Sequence, residues 1–110
     1  MYQIQTIKSK IHKVVITNLS NTNLNGAFIA TKLGVNRMYI HRKLVELHQS
    51  NARDYIRSIR MMEAKRLLKE TDIPIKNIAL ELGYRDSSFF TKNFKFHVGV
   101  TPLKYRKSIV

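Results

Sequence analysis

The segment Ile29-Ala30-x-x-Leu33-Gly34 returns 49 positions later as Ile78-Ala79-x-x-Leu82-Gly83. One residue is then inserted, and the following segment matches at a shift of 50. Asn36 aligns with Asp86, Ile40 with Phe90, Arg42 with Lys92 and Leu44 with Phe94. Each copy reads as a helix bearing a small Ala, a turn at Gly, a polar cap and a second helix, which is the pattern of a helix-turn-helix. The residue types have physical reasons. Alanine lets the second helix cross close to the first, glycine accepts a positive φ at the turn, and Asn or Asp accepts from the free N–H groups of the next helix. One copy would fit any corner between two helices. Two copies in the same order, each with a basic residue at the same offset, specify two helix-turn-helix units.

The rest of the chain also reads as helix, so the fold class is all-α with seven helices. Residues 5–19 place Ile7, Ile11, Val14, Val15 and Leu19 near one face, and residues 20–25 are a polar loop. Asn25 caps a short helix to Leu33, Gly34 ends it, and Asn36 caps the next, to Leu47. A long helix runs from Ala52 to Lys69. Asn51 and Asp54 stand at the spacing of a capping box, and Tyr55, Ile56, Ile59, Met62 or Met61, Ala64, Leu67 and Leu68 recur at helical period. Pro74 suits the first turn of a helix ending near Gly83. Asp86 caps one that runs to Phe96, and Thr101-Pro102 opens the last.

Lys and Arg number 20 against 7 Asp and Glu, a formal net charge of +13 in 110 residues, with 44% hydrophobic residues. Residues 1–55 carry 8 basic and 2 acidic residues, and residues 56–110 carry 12 and 5. The charge therefore coats a folded body and is not a tail. Its expected partner is a polyanion, nucleic acid before an anionic membrane. The absence of cysteine excludes a disulfide framework and thiolate metal sites. MYQIQTIKSK holds no signal-peptide core, and no apolar run reaches the ~20 residues of a membrane span.

The faces of the two second helices agree with this reading. Ile40, Leu44 and Leu47 form a buried stripe that leaves Arg37, Met38, His41, Arg42 and Val45 outside. Phe90 and Phe94 do the same for Ser87, Ser88, Thr91, Lys92 and Lys95. Cations, hydroxyls and a thioether suit base edges and thymine methyls, and the helix N-termini at Asn36 and Asp86 attract phosphate, an attraction that the Asp86 carboxylate partly opposes. Phe89 and Phe96, read together with Phe90 and Phe94, are assigned to the core, with Tyr84 and Tyr105 at its rim. The histidines are scattered without metal-ligand spacing, and no catalytic set can be picked out, so neither a cofactor nor an enzymatic activity is expected. A general DNA- or RNA-binding basic protein without strong sequence specificity is the alternative. A membrane binder is opposed by the many caps and turns.

These motifs resemble the DNA-binding module of the AraC/XylS family of bacterial transcription regulators. The resemblance covers Leu24 to Arg106 and is densest in AKRLLKETDIPIKNIALELGYRDSSFFTKNFK (64–95) and GVTPLKYR (99–106). The first half matches through Ala30, Leu33-Gly34-Val35, Ile40, Arg42, Leu44, Tyr55-Ile56 and Arg60. It implies a subdomain over residues 1–50, a linker helix over 51–69 and a second subdomain over 70–110, with two recognition helices in adjacent major-groove segments. A linker of ~18 residues is ~27 Å long, comparable to the ~34 Å between major-groove faces one turn apart. By correspondence, base contacts fall on Met38, His41, Arg42, Ser87, Ser88 and Lys92, and backbone or flanking contacts on Asn36, Arg37, Thr91 and Lys95. The implied partners are double-stranded DNA, RNA polymerase and a fused sensor or effector domain outside this chain, in the cytoplasm. The close fit of the chain ends to the outer helices favours an excised domain. Gln49 stands where the family has Gly. Gly26 replaces an apolar residue and is expected to loosen its helix, and Met38 and His41 are weak base readers, so the first unit is expected to specify less than the second.

Overall fold

A computed structural model describes residues 6–108. The predicted helix start at residue 5, and the predicted subdomain ends at residues 1 and 110, lie outside the described residues. Among the described residues there are seven helices and no strand. They are α1 (Ile7–Thr17), α2 (Gly26–Leu33), α3 (Arg37–His48), α4 (Ala52–Glu70), α5 (Ile75–Glu81), α6 (Ser87–Val98) and α7 (Pro102–Lys107). They form two compact units, and α4 contributes to both. The first unit ends at Ile59 and the second begins at Arg60, taking with it the short segment Leu19–Thr22.

In the first unit, Thr6 Oγ1 accepts from Ser9 N at 3.2 Å and opens α1. Ile11 and Val15 face inward, where Ile29, Ile40 and Leu44 are also fully buried. Such burial is worth about 1.5–3 kcal/mol per large aliphatic side chain. The helix was expected to reach Leu19 but stops at Thr17. Asn18 leaves helical geometry while its N–H bonds Val15 O at 3.1 Å and its Nδ2 donates to Val14 O at 2.7 Å. Leu19 is buried, but with the second unit. Gly26 opens α2 beside the start of α4. A Cβ there would lie 3.2 Å from Ala52 Cβ, so the missing side chain lets the starts of α2 and α4 approach closely.

The N-terminus of α4 shows half of the expected capping box. Asn51 Oδ1 accepts from Asp54 N at 2.8 Å, while the Asp54 carboxylate pairs with Arg57 at 2.9 Å. Met61 is the buried methionine of this helix, and Met62 is 65% exposed. Gln49, just after α3, is the non-glycine residue with positive φ (52°) among the described residues.

The second unit is held by a chain of rings. Tyr84–Phe90, Phe90–Phe94 and Phe94–Tyr105 have centroids 5.2, 5.8 and 5.5 Å apart. Two arginines tie its backbone. Arg60 donates to Leu19 O at 3.1 Å and Asn21 O at 2.9 Å, which fastens the 19–22 segment to α4. Arg106 donates to Leu68 O at 3.1 Å and Thr71 O at 3.2 Å, satisfying carbonyls that the end of α4 leaves open. Pro74 sits at the cap position, one residue before α5, where its carbonyl accepts from Asn77 N and Ile78 N. Leu68 and Leu82 complete this core.

The two turn glycines differ in a measurable way. Gly34 has φ +68° and open space where a Cβ would go. Gly83 has φ +83°, and its Cβ would lie 2.5 Å from both the Arg60 guanidinium and Leu19 O. Gly34→Ala should cost about 1–2 kcal/mol, the left-handed penalty alone. Gly83→Ala should cost about 3–5 kcal/mol, because overpacking against backbone is added. Urea unfolding followed by circular dichroism measures both, and equal losses would contradict the geometry. The same assay applied to Gln49→Gly should show a gain of about 0.5–1 kcal/mol, since relief of the left-handed strain exceeds the entropy that glycine adds to the unfolded chain.

Candidate nucleic-acid interface

The sequence repeat is a repeat of hydrogen bonds. In α2, Val35 N bonds Ala30 O at 3.0 Å and Gly34 N bonds Thr31 O at 3.3 Å. At the end of α5, Tyr84 N bonds Ala79 O at 2.9 Å and Gly83 N bonds Leu80 O at 3.1 Å. Both are the six-to-one closure of a helix through a left-handed residue. The caps repeat as well. Asn36 Oδ1 accepts from Tyr39 N, and Asp86 Oδ1 from Phe89 N, each at 2.8 Å. The main-chain bonds Ile40 N to Asn36 O and Phe90 N to Asp86 O are each 3.3 Å. Ala30 and Ala79 are buried at both corners. α2–α3 and α5–α6 are therefore two helix-turn-helix units, and the extra residue at Arg85 is absorbed between glycine and cap.

This geometry decides what α3 and α6 expose. Ile40 and Leu44 are fully buried and Leu47, expected with them, is only half-buried. The other side of α3 exposes Asn36, Arg37, Met38, His41, Arg42 and Val45. Met38 is 63% exposed, a high value for a thioether. Arg37, Met38 and His41 share a cavity of about 410 Å³ with Gly26, Ile40 and Ala52. On α6, Phe90 and Phe94 are fully buried, Ser88, Lys92 and Lys95 are exposed, and Ser87 and Thr91 are half-buried. The side chains singled out from the sequence thus gather on one exposed face per unit.

The charges on these faces have no internal counter-ion. Among the described residues, Arg37, Arg42, Lys92 and Lys95 form no ion pair. Every ion pair among the described residues lies within one helix, and cations off these faces, Arg53 and Lys65 on α4 among them, also form none. On α4, Arg57 meets Asp54 and Arg66 meets Glu63 and Glu70. The hydrogen bond from Arg66 holds the Glu63 carboxyl below its usual range. On α3 itself, Lys43 meets Glu46 at 3.5 Å and lies over the Tyr39 ring. An uncompensated cation beside helix N–H groups is suited to phosphate and base acceptors. Among the described residues, no helix is long and apolar enough to cross a membrane.

Two aromatic assignments are corrected. Phe89 is 57% exposed and Phe96 83% exposed, so neither belongs to the core. Phe89 stands one residue before Phe90 and corresponds to Tyr39 in the first copy. A rotation of ~100° per residue takes it off the buried stripe, and that offset was the available signal.

Known proteins share this arrangement. Residues 29–108 match the family model described as a helix-turn-helix domain. The chain is 34% identical to the probable transcription factor PqrA of Proteus vulgaris over 73% of this chain and 66% of that protein. It is also 34% identical to the regulatory protein SoxS of Escherichia coli, over 76% of this chain and 78% of SoxS. In structure it is similar to the C-terminal domain of AraT, a response regulator from Geobacillus stearothermophilus. The TM-score there is 0.84 at 27% identity, over 96% of this chain and 88% of that one. The chain spans 66%, 35% and 7% of the length of three curated relatives. With two closed corners, each followed by a capped second helix, and a family match over most of its length, the chain belongs to the AraC-type helix-turn-helix family of DNA-binding domains.

Proposed function

We propose that this chain binds specific sequences in double-stranded DNA and regulates bacterial transcription, with α3 and α6 each reading a major-groove segment. The observation that carries this is the matched pair of exposed faces, each set by the same glycine corner and a cap bond of 2.8 Å, and each bearing cations that form no ion pair among the described residues. In this reading Met38, His41 and Arg42 meet base edges from α3, and Ser87, Ser88 and Lys92 from α6. Asn36, Arg37, Thr91 and Lys95 hold the flanking backbone. Subdomains over 1–50 and 70–110 with a linker over 51–69 fit the same reading, with DNA in the cytoplasm as the target. RNA polymerase, and a sensor or effector domain outside this chain, are the further partners of a regulator of this type.

A selection from random duplexes, followed by competition, tests the proposal. One duplex should stay bound under excess unrelated DNA, and equal displacement by any DNA would leave only general binding. If about 6 phosphates are neutralised, log K should fall against log salt with a slope of roughly −5. A nearly flat response would contradict the use of the free cations.

Arg42 and Lys92 separate reading from anchoring. The planar fork of Arg can grip guanine at two points, whereas Lys is a point charge on a flexible stem. Arg42→Ala should weaken the selected site by ~1–3 kcal/mol and relax preference at about one base pair. Lys92→Ala should weaken binding more evenly. Titrations across single-base variants of the site decide. Equal loss from Arg42→Ala on every variant would make it a backbone anchor.

A further inference from the structure

Phe89 and Phe96 are both exposed aromatic side chains without a role in the reading above, and Phe89 is the one near the start of α6. It lies in the first turn of α6, one residue after Ser88 and three before Lys92, and therefore on the same side of the helix as Lys92. Residues near the start of a recognition helix are the ones that reach base edges. The backbone of Phe89 is fixed, because its N–H is the one that Asp86 Oδ1 accepts at 2.8 Å. Its ring is also seated. The centroid stands 6.0 Å from that of Tyr84, which is buried and stacks on Phe90. Phe89 is thus the outermost ring of the aromatic series that forms the core of the second unit. Beside it opens a cavity of about 400 Å³ lined also by Thr22, Arg60, Gly83, Arg85 and Asp86, with Arg85 exposed at its edge.

An apolar ring pre-set on a polar, cationic face has one natural partner on duplex DNA, the thymine C5-methyl in the major groove. Ser87 and Ser88 offer hydroxyls, and Lys92 and Lys95 offer charge. Thr91 has a methyl group of the right kind, but it is half-buried, whereas the Phe89 ring is 57% exposed. We propose that Phe89 is a specificity-determining residue of the second unit and selects thymine by covering its methyl group, with Arg85 free to meet an adjacent phosphate. This rests on the reading of α6 as a recognition helix.

The test uses the selected duplex with each thymine replaced in turn by deoxyuridine, which lacks only the methyl. At one position the wild-type chain should lose affinity roughly four-fold, the worth of one buried methyl group. Phe89→Ala should lose about as much on the thymine duplex and nothing further on the deoxyuridine duplex at that position. Phe89→Leu, which keeps an apolar side chain, should fall between. Met38→Ala should remain fully sensitive to that substitution. If the losses from Phe89→Ala and deoxyuridine multiply at every position, or if no deoxyuridine lowers wild-type binding, the proposal is overturned while sequence-specific binding stands. If wild type shows no preferred duplex at all, the recognition-helix reading falls with it. Should Phe89→Ala unfold through its contact with Tyr84, the wild-type deoxyuridine scan and the same cycle with Phe89→Leu still decide.

Discussion

The six-to-one closure at Gly34 and Gly83 is the constraint from which the rest of each unit follows. It stops one helix and satisfies its last carbonyls. It also delivers the chain to a cap within two or three residues. The short connection sets which side of the second helix meets the buried alanine. Ile40 and Leu44, or Phe90 and Phe94, are turned inward, and the opposite stripe has nothing to cover it. The exposed face is therefore a consequence of the corner. A change at the corner would act on DNA binding without touching a single residue that meets DNA.

Ion pairs are few on this surface. α4 pairs Arg57 with Asp54 and Arg66 with Glu63 and Glu70, and α3 pairs Lys43 with Glu46, while Arg37, Arg42, Lys92 and Lys95 form none among the described residues. Surface pairs contribute little to stability. Arg60 and Arg106 show a second use of cations. Each is partly withdrawn from solvent and spends its donors on backbone carbonyls, which ties loop segments to α4. Burial lowers the Arg60 pKa, yet an arginine remains charged and keeps its donors. A basic composition alone does not separate these three uses.

The helices and corners were legible because glycine, proline, Asn and Asp act locally. Asn25, Asn36, Asn51, Asp86 and Thr101 all cap as their positions indicated. What was not legible depends on partners distant in sequence. The attachment of Leu19 to the second unit goes with Arg60 donating to the Leu19 carbonyl 41 residues away. Gly26 reads as a weak helix residue until Ala52 is known to lie against it. The choice between Met61 and Met62, and the exposure of Phe89 and Phe96, concern adjacent positions on a helix. Hydrophobicity cannot rank these when both are apolar. The grouping of the reading side chains was legible because the repeat counted offsets from the buried stripe twice.

In the proposed reading the two units offer DNA different chemistry on the same frame. The first exposes Arg37 and Arg42 with a thioether and an imidazole; the second exposes hydroxyls and lysines beside a fixed phenyl ring. A guanidinium can discriminate by itself through a two-point hydrogen bond. Hydroxyls donate to acceptors and accept from donors, so they discriminate little between bases, and an ammonium has no directional fork. On polar chemistry alone the second unit would be the less selective of the two, although its part of the chain carries the denser family motif. The resemblance there includes the turn, cap and aromatic core, and in the proposed reading those elements do not touch bases. Selectivity must come from side chains that the frame leaves free to vary. In the second unit the free side chain with both rigidity and distinctive chemistry is Phe89. The same physics that makes a phenyl ring costly on a solvated face makes its burial against a methyl group informative about sequence.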